Sequence, residues 1–529
     1  MFELLPNQHA HVAKLQGILD AYKFAFDFSM LGTGKTYASS WLALQGGFKH
    51  VVVVCPLSVA PKWNMMKVEH GLPLACVVSY CSLRSVKDKQ PKHGLLNRID
   101  YKRTIKATKK GVEVDTEIDS VRFTLTDKYK AMLAESTMVV IDEIQNFKNM
   151  SAQFEACKTL IEGVLKSDTS RVILLSGSPI DKEAQVSRLL KAIDIFRADE
   201  IARYNIGLHD MEWTGMQEIV DFCNKVNPDG LRRLPMPRKW AHAGLLHNYA
   251  YKLFQTVLKP VLSSSMIPMK IPFTLSKYNG YYQMSPEQEA ELGLAVSELE
   301  SVSGYDKDTG TVHITAVGSK DGSSFAKIQT ALVMIERAKR DLFVRLAIDA
   351  LRTPHTKVVL CFNFASTIDY VQHALREYEP LILDGKTTQK QRGYILDAFQ
   401  APNDRYRVLI GNVTVCSTGI DLDDKHGGFP RVAYINPNYS TITLYQLGHR
   451  FHRADSKSNA RVYFVYGKAR PELSVLNALS YKSKIMKETT PEQADAGVVF
   501  PVDMPSFVEE SENGFDASIN AVSQENGVT

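Results

Sequence analysis

A glycine-rich turn near the start of the chain carries the residue types best suited to chemistry. It follows the apolar run Phe24 to Phe28 and has the sequence Ser29-Met30-Leu31-Gly32-Thr33-Gly34-Lys35-Thr36. A turn of this kind that leads into a helix directs backbone N–H groups toward one point, where they can hold phosphate oxygens. Lys35 would then reach the β- and γ-phosphates of a nucleotide, and the Thr36 hydroxyl would hold Mg²⁺. The alternative is a solvated glycine-rich turn, since Ser29 replaces the usual first glycine.

Two adjacent acids form the second candidate for chemistry. Asp142 and Glu143 follow the apolar run Val139 to Ile141, which predicts a strand that ends at the acids. Ligands of open α/β sheets bind at the carboxyl ends of the strands. Asp142 would hold Mg²⁺, and Glu143 would orient and deprotonate the water that attacks the γ-phosphate. The alternative is that the two acids only complement the dipole of a helix N-terminus. The phosphate-binding turn upstream favours the catalytic interpretation.

Hydroxyl groups follow a third predicted strand, in the sequence Leu175-Ser176-Gly177-Ser178-Pro179. From this position they can sense the acid pair and relay the state of the nucleotide. A plain polar turn is the alternative.

Two arginines, Arg450 and Arg453, lie three residues apart in the segment Gln446 to Arg453, and we expect them on one helical face. Guanidinium groups supplied across a cleft neutralise charge on a γ-phosphate and accelerate other NTPases by about 10³–10⁵. A surface helix held by salt bridges is the alternative. Two lobes that supply complementary halves of one site would have to close for hydrolysis.

Composition limits the class of protein. The 529 residues are too many for one ordinary core, and 44% hydrophobic with 23% charged residues is typical of a soluble globular protein. The net charge of +5 does not by itself indicate nucleic-acid binding. The seven cysteines form no C-x-x-C pair, so we expect neither a zinc site nor disulfides. No 18-residue apolar run occurs, and we expect a cytoplasmic protein with no membrane association, in the host cytoplasm if phage-encoded, although a nuclear location also fits.

Short β-branched runs alternate with helical patterns and predict an α/β fold with two parallel sheets. Residues 51–55, 138–142 and 171–175 predict strands of a first lobe, residues 1–200. Residues 357–362, 407–411, 431–435 and 461–465, with a helix at 366–378, predict a second lobe, residues 327–486. Residues 201–326 are expected to be a mostly helical insert and linker that contains a mobile loop. The acidic tail, residues 487–529, is predicted to be disordered and to bind a protein partner.

In combination, these residues resemble superfamily 2 helicase-type motors, most closely the Snf2-like ATPases. Residues 142–149, D-E-I-Q-N-F-K-N, are similar to the family's motif II, D-E-A-H-R-x-K-N, and residues 175–179 match its motif III, L-T-G-T-P, with serines for threonines. Residues 53–58 with Trp63 resemble motif Ia, Ser79-Tyr80 motif Ib, and residues 417–422 motif V. Gln446, Arg450 and Arg453 have the Q-x-x-x-R-x-x-R spacing of motif VI.

The resemblance implies two RecA-like lobes forming a helicase core that uses ATP and Mg²⁺ and tracks along duplex or branched DNA. It assigns adenine recognition to Gln8 and the remaining nucleotide contacts to Gly32, Thr33, Gly34, Lys35, Thr36, Asp421 and Gln446. It assigns contacts with the nucleic-acid backbone to Pro56, Ser58, Ser79, Tyr80, Asn363, Thr418 and Gly419. Gln145 departs from the family's histidine, which puts in doubt how hydrolysis is coupled to nucleic acid.

A basic insert, residues 84–130, separates motifs Ib and II by more than the family's usual spacing. We predict that it grips DNA phosphates, and a solvated flexible loop is the alternative. Its basic residues up to position 110 are Arg84, Lys87, Lys89, Lys92, Arg98, Lys102, Arg103, Lys106, Lys109 and Lys110.

Three functions remain in competition. The leading hypothesis is a DNA-stimulated ATPase that translocates on duplex DNA and remodels DNA or protein–DNA complexes. A strand-separating DNA or RNA helicase is the second, although no strand-splitting element is obvious. A non-catalytic ATP-binding scaffold is the third, and the intact Lys35, Asp142, Glu143 and Arg450 argue against it. The compact core is more typical of a phage, viral or bacterial motor than of a large chromatin remodeller.

Overall fold

The computed structural model describes residues 3–109, 112–149, 151–205, 210–235, 243–266, 271–282, 285–300, 305–306, 311–312, 322–467, 470–490 and 506–508. The chain divides into two compact units, Met1–Met269 with Lys484–Val498 and Lys270–Ser483 with Val499–Thr529.

The first unit alternates helices and strands along the chain. Its elements are α1 (Pro6–Tyr22), β1 (Phe24–Asp27), α2 (Lys35–Gln45), β2 (His50–Cys55), α3 (Ala60–His70), β3 (Leu74–Ser79), α4 (Tyr80–Arg84), β4 (Leu96–Lys109), β5 (Val112–Leu125), α5 (Asp127–Glu135), β6 (Thr137–Asp142), a 3₁₀ turn (Ile144–Phe147), α6 (Ala152–Lys166), β7 (Arg171–Leu175), α7 (Ala184–Ala192), β8 (Arg203–Asn205), β9 (Asp210–Glu212), α8 (Thr214–Val226), α9 (Pro228–Arg232), α10 (Ala243–Leu253), a π-helical turn (Phe254–Leu258), α11 (Lys259–Leu262) and β10 (Ser263–Ser264).

Six parallel strands form the sheet of the first unit, in the order β10-β1-β7-β6-β2-β3. Its central strands are buried on both faces, as their continuous apolar runs predict. Successive side chains alternate between two cores: Val52 and Val54 pack into one, and Val51 and Val53 into the other. The predicted strands 51–55, 138–142 and 171–175 are present within one residue of their predicted ends.

A long two-stranded antiparallel hairpin interrupts this α/β order between α4 and α5. Its strands, β4 and β5, pair over 14 residues each, from Leu96 opposite Leu125 to Lys109 opposite Val112. Fourteen residues of strand span roughly 45 Å. The basic insert is therefore a hairpin rather than an irregular loop.

The second unit has the same alternation. Its elements are β11 (Leu275–Tyr282), α12 (Pro286–Glu300), β12 (Tyr305–Asp306), β13 (Thr311–Val312), α13 (Gly322–Ala338), α14 (Arg340–Leu351), β14 (Lys357–Phe362), α15 (Ala365–Ala374), a 3₁₀ turn (Arg376–Tyr378), β15 (Leu381–Leu383), α16 (Gln389–Gln400), β16 (Val408–Asn412), α17 (Val413–Ser417), β17 (Arg431–Ile435), α18 (Thr441–Gly448), β18 (Ala460–Gly467), α19 (Arg470–Thr489) and β19 (Ser506–Val508).

Seven parallel strands form the second sheet, in the order β15-β16-β14-β17-β18-β11-β19. Stacked tyrosines join its strands, with the Tyr278 and Tyr463 rings 5.1 Å apart and the Tyr434 and Tyr463 rings 5.3 Å apart. The strands predicted at 357–362 and 431–435 have the predicted bounds, and the helix predicted at 366–378 ends as a 3₁₀ turn.

Two parallel sheets covered by helices confirm the predicted α/β class and are consistent with two RecA-like lobes. The segment predicted as an insert between the lobes contributes a strand to each sheet, since β10 pairs with β1 and β11 pairs with β18. Within the loop expected near 303–324, β12 and β13 pair in antiparallel fashion and α13 begins at Gly322, while its other residues lie outside the described ones. Most of the acidic tail also lies outside them, and Ser506–Val508 pairs with β11. Among the described residues, no helix is long and apolar enough to cross a membrane.

Candidate active site

The phosphate loop, residues Ser29–Thr36, connects the carboxyl end of β1 to the N-terminus of α2. Gly32 and Gly34 have φ angles of 82° and 91°, in the left-handed region that favours glycine. The Lys35 ammonium donates to the Ser29 and Met30 carbonyls at 2.9 and 3.1 Å, and the Thr33 hydroxyl donates to the Met30 carbonyl at 2.8 Å. Thr36 is buried in the first turn of α2. The loop is thus a compact turn at a helix N-terminus, suited to hold an anion.

Gln8 in α1 lies directly against this loop. Its Nε2 donates to the Thr33 carbonyl at 3.1 Å, and its Oε1 accepts from the Leu5 N–H at 3.0 Å. A Cβ atom added at Gly34 would lie 2.5 Å from Gln8 Nε2, so a side chain there would displace the Gln8 amide from the loop. The residue predicted to read adenine is therefore held in contact with the predicted phosphate site.

Asp142 ends β6 as a buried carboxylate. Trp63 Nε1 donates to Asp142 Oδ2 at 3.0 Å, and the Tyr80 hydroxyl donates to the Asp142 backbone carbonyl at 2.8 Å. Burial and the adjacent Glu143 carboxylate raise the pKa of Asp142 to about 6, while Trp63 and Lys35 act in the opposite direction. The Lys35 ammonium of the phosphate loop is thus one of the charges that act on Asp142.

Glu143 is held in a constrained position after the strand. Its φ of 61° is in the left-handed region, which a residue other than glycine adopts at an energetic cost. Gln145 Nε2 donates to Glu143 Oε2 at 2.7 Å, and the Ser176 hydroxyl donates to Gln145 Oε1 at 2.8 Å. Gln145 therefore links the second acid to the hydroxyl that follows β7.

The order of the strands explains why these three loops meet. β1, β7 and β6 are consecutive neighbours and run parallel, so their carboxyl ends lie at one edge of the sheet. The phosphate loop follows β1, Ser176 follows β7, and the acid pair follows β6. This is the edge at which α/β sheets bind ligands.

The prediction that Arg450 and Arg453 share a helical face is wrong. Helix α18 ends at Gly448, Arg450 lies in the turn that follows, and Arg453 lies in the irregular segment beyond that turn. The Arg450 guanidinium donates to the Ser417 carbonyl at 2.7 Å and to the Ile420 carbonyl at 3.4 Å. The Leu422 N–H also donates to the Arg450 carbonyl at 2.9 Å. Together these contacts direct the chain away from the helix axis.

The two motifs of the second unit that resemble the helicase family nevertheless converge. Arg453 Nε lies 3.2 Å from Asp421 Oδ1, and the Lys425 ammonium lies 3.1 Å from Asp421 Oδ2. Partial burial alone would raise the pKa of Asp421, but Arg453 and Lys425 lower it to about 2. Gln446 is buried within α18. Asp421 and Arg453 thus form a charged pair, with Arg450 bound to the same loop.

The predicted nucleic-acid contacts differ in their exposure and in the bonds that they already make. Tyr80 is wrong as a surface contact, because it is only 4% exposed and its hydroxyl is bonded to the backbone of motif II. Asn363 is half-buried and donates from its N–H and Nδ2 to the buried Glu336 carboxylate. Four others are half-buried at carboxyl ends of strands or in the loop after α17: Pro56, Ser58, Thr418 and Gly419. Ser79, also half-buried, caps the N-terminus of α4.

The hairpin formed by the basic insert, which was predicted to grip DNA phosphates, carries opposite charges on its two strands. β4 holds most of the basic residues, and the register places acidic residues of β5 beside them. Lys102 pairs with Glu117 at 3.1 Å, and Lys87 pairs with Asp119 at 3.0 Å. These ion pairs reduce the positive charge that this segment offers to phosphates.

Several residues important to the site carried little signal in the sequence. Trp63, whose N–H bonds Asp142, was identified only as part of motif Ia, although a tryptophan near a predicted acid site usually needs a hydrogen-bond partner. His11 and Asp27, buried below the phosphate loop, were not predicted. The sequence signal for His11 was its position three residues after Gln8, which places both side chains on the same face of one helix.

Comparisons with known proteins agree with this geometry. Residues 338–455, which include Asp421, Arg450 and Arg453, match the family model described as the helicase conserved C-terminal domain. Over 461 residues the chain is 22% identical to a protein named "Putative ATP-dependent RNA helicase L364" from Acanthamoeba polyphaga mimivirus, an alignment that covers 86% of this chain and 77% of that protein.

Taken with the site, these similarities support a helicase-type protein of superfamily 2. At the level of class, that is an ATP-dependent nucleic-acid motor, and thus an ATPase.

Proposed function

We propose that this protein is a Snf2-like ATPase that hydrolyses ATP when it binds duplex or branched DNA and moves along it. The observation that carries the proposal is the meeting of the phosphate loop, the acid pair and Ser176 at one sheet edge, with Gln145 joining the last two. An ATPase needs these groups together, because phosphoryl transfer depends on positioning and on electrostatic stabilisation.

ATP fits the first unit through contacts that its residues can make without rearrangement of the fold. Backbone N–H groups of Gly32, Thr33 and Gly34 would hold phosphate oxygens at the N-terminus of α2. Lys35 would exchange its two backbone carbonyl acceptors for the β- and γ-phosphates. Gln8, already bonded to the loop, would read the adenine edge.

Mg²⁺ fits the donors at this edge, which are hard oxygen ligands. Asp142 and the Thr36 hydroxyl would hold it, with the nucleotide and water completing the shell, as is usual for this cation. Bound there, Mg²⁺ would neutralise charge on the β- and γ-phosphates.

Glu143 would act as the base that orients and deprotonates the attacking water. Gln145 holds its carboxylate at 2.7 Å and is in turn held by Ser176, so the carboxylate is positioned before a substrate arrives. Arg450 and Arg453, which follow α18, would supply positive charge to a γ-phosphate. The pairing of Arg453 with Asp421 keeps this guanidinium in a defined place.

DNA is proposed as the track because of the motif II sequence D-E-I-Q-N-F-K-N and its trailing Lys148-Asn149. In the structure the Lys148 ammonium donates to Asp181 at 2.9 Å, and Arg188 donates to the Lys148 carbonyl at 3.2 Å. These contacts connect motif II to α7 and to the segment after motif III. The backbone contacts proposed for Pro56, Ser58, Thr418 and Gly419 would make binding sensitive to salt and tolerant of sequence.

The test is steady-state ATP hydrolysis without nucleic acid and then with duplex DNA, single-stranded DNA, a four-way junction and RNA, at one stated salt concentration. We expect the strongest stimulation with duplex or branched DNA, followed by displacement of a third strand from a DNA triplex. Stimulation by RNA or single strands alone would contradict the proposed track. Lys35→Ala should lose ATP binding and serves as the negative control.

A single variant tests the alternative function, a scaffold that binds ATP without useful turnover. Glu143→Gln keeps the shape of the side chain and removes the proposed base. Loss of the motor activity in this variant supports catalysis, whereas an unchanged biological activity would favour the scaffold.

A second candidate function, strand separation, is favoured by the hairpin of β4 and β5. One face of it mixes apolar, aromatic and basic side chains: Ile99, Tyr101 and Ile118 share this face with Arg103, Ser120 and Arg122. The Tyr101 ring is 41% exposed, and the Arg122 guanidinium lies 5.8 Å from its centre. An exposed ring beside arginines can stack on unpaired bases.

Shortening the hairpin separates the two candidates. Replacement of residues 104–117 by Asn-Gly would keep a tight turn while removing its outer part. If strand separation is the function, this variant and Tyr101→Ala should lose unwinding of a forked duplex but keep nucleic-acid-stimulated hydrolysis. Lys102→Ala, on the opposite, ion-paired face, is the control. A translocase that does not separate strands should retain triplex displacement in all three variants.

A further inference from the structure

The first half of the phosphate loop is bonded to a chain segment that lies more than 230 residues further along the sequence. This connecting segment, Ser263–Met266, comprises β10 and the two residues after it. The Phe28 N–H donates to the Ser264 carbonyl at 2.9 Å, and the Met30 N–H donates to the Met266 carbonyl at 3.3 Å. The Met266 N–H donates to the Ser29 hydroxyl at 2.9 Å.

A buried pair of polar side chains, His11 and Asp27, lies beside the same contact. His11 Nε2 lies 3.2 Å from Asp27 Oδ2, with the two side chains 2% and 0% exposed. The other ring nitrogen of His11 is 2.9 Å from the Ser264 hydroxyl. Burial alone would raise the pKa of Asp27, but its neighbours His11, Lys35 and Ser29 together lower it, so Asp27 carries a negative charge. That charge accepts the Ser29 N–H at 2.9 Å.

Ser29 is therefore the residue at which these contacts meet. Its hydroxyl accepts from Met266, its N–H donates to Asp27, and its carbonyl accepts from the Lys35 ammonium. Glycine, the usual residue at this position of a phosphate loop, has no hydroxyl and could not hold the Met266 N–H. The serine that departs from the pattern thus has a structural partner.

The connecting segment leads directly into the second unit. The first unit ends at Met269, three residues after Met266, and the second unit begins at the next residue, Lys270. A shift of the phosphate loop would displace the connecting segment, which leads into the second unit, because Ser29 is bonded to both Lys35 and Met266.

We propose that Ser29 is a positioning residue that couples the nucleotide state of the phosphate loop to the connecting segment, with His11 and Asp27 holding it in place. The inference rests on the ATP site proposed above. When Lys35 turns from the Ser29 carbonyl to a phosphate, the bonds that Ser29 makes to Met266 tighten or loosen, and the connecting segment changes with them.

Amide hydrogen exchange tests this coupling directly, with and without a non-hydrolysable ATP analogue. In the wild-type protein we expect protection to change both in residues 29–36 and at the Met266 amide. Ser29→Gly should speed exchange at Met266 about fivefold without nucleotide, since one hydrogen bond is lost. It should also bind the analogue and protect its own loop while leaving the connecting segment unresponsive.

Two further variants make the result specific. Ser40→Ala removes another buried serine hydroxyl, in α2, that makes no hydrogen bond among the described residues, and it should respond as the wild type does. Ser264→Ala removes the hydroxyl next to His11 but leaves the Met266 N–H with its acceptor, the Ser29 hydroxyl. It should therefore weaken the change in protection at Met266 that the analogue causes. A catalytic readout follows the same pattern: Ser29→Gly should lower kcat more than it raises KM.

The outcomes are distinguishable from failure of the proposed function. If the loop of the wild type gains protection but Met266 does not respond, the coupling is wrong while the ATP site stands. A Ser29→Gly protein with a normal response at Met266 would also overturn it. If residues 29–36 gain no protection in the wild type, the ATP site itself is wrong and the coupling falls with it.

Discussion

Gln145 donates from Nε2 to Glu143 Oε2 at 2.7 Å, and this is how the residue that departs from the family's histidine enters the site. Its Oε1 accepts from the Ser176 hydroxyl at 2.8 Å, so one amide reaches two motifs. A glutamine can do both at once, because it carries a donor and an acceptor on the same group. The departure therefore preserves a link between the second acid and the loop after β7.

Gln145→Ala should keep ATP binding within about threefold and lower stimulated turnover roughly tenfold or more, because a hydrogen bond to a charged group is lost. Steady-state kinetics with saturating nucleic acid and a nucleotide-binding assay measure the two effects. Gln217→Ala, which removes an exposed glutamine bonded to Asp221 in α8, is the control. Unchanged stimulation in Gln145→Ala would show that this link plays no part in turnover.

Arg453→Gln should bind ATP but hydrolyse it at least about a hundredfold more slowly, if its charge acts on the γ-phosphate. Arg450→Ala should lose turnover as well, and should also lower the melting temperature, because its guanidinium holds the Ser417 and Ile420 carbonyls. Turnover, nucleotide affinity and thermal unfolding separate the two roles. Arg352→Gln, which removes an exposed arginine paired with Asp349, is the control, and full activity in Arg453→Gln would contradict a role for its charge in hydrolysis.

Lys277→Met should stabilise the second unit, most strongly at low pH. The Lys277 ammonium lies 3.0 Å from His449 Nε2, near Arg450 and Arg453, and burial lowers the pKa of Lys277 from 10.5 to about 7. Between these values the unfolded chain binds a proton that the folded chain does not, so stability rises with pH. Below pH 7 the cost of the buried charge is complete.

The expected gain from Lys277→Met is of the order of 2–4 kcal/mol at pH 6 and smaller at pH 9. Thermal unfolding at both pH values measures it, at roughly 2–4 °C for each kcal/mol. Lys386→Met, at an exposed lysine of the same unit, should show neither change. A gain that does not depend on pH would mean that Lys277 does not titrate in this range.

Lys339 and Glu472 form a fully buried ion pair in the second unit, and breaking it should be costly. Their side chains are 0% and 3% exposed, and Lys339 also donates to the Val465 carbonyl at 2.9 Å. Lys339→Met alone should destabilise the protein by about 3–5 kcal/mol, because Glu472 would be left buried without its partner. The double variant Lys339→Met with Glu472→Leu should recover much of this loss, which denaturant unfolding in a double-mutant cycle would detect. Equal stability of the single and double variants would argue against an interaction between the two charges.

Tyr80→Phe tests the assignment of this residue to the core. Loss of its bonds to the Asp142 and Glu143 carbonyls should lower stability by about 1 kcal/mol and leave the salt dependence of nucleic-acid binding unchanged. Ser58→Glu, at the carboxyl end of β2, should instead weaken binding in a salt-dependent manner. A changed salt slope for Tyr80→Phe would restore Tyr80 as a backbone contact.

The strands and the phosphate loop could be predicted from the sequence because their signals are local. An apolar run such as residues 171–175 is long enough to identify a buried strand, and the positions of Gly32, Gly34 and Lys35 identify the turn that follows the first strand. The carboxyl ends of parallel strands share an edge, so the meeting of the phosphate loop and Asp142 also followed.

What only the tertiary structure decided concerns contacts between distant segments. The strand Ser263–Ser264 has no apolar pattern and exists because it pairs with β1. Helix α18 ends at Gly448 because carbonyls of another loop bind Arg450, which overrides the helical spacing of the two arginines. His11, Asp27 and Ser264 are polar residues without local periodicity, and folding alone brings them together. Periodicity reports what one segment buries, whereas the partner of a polar group depends on which remote segment the fold places beside it.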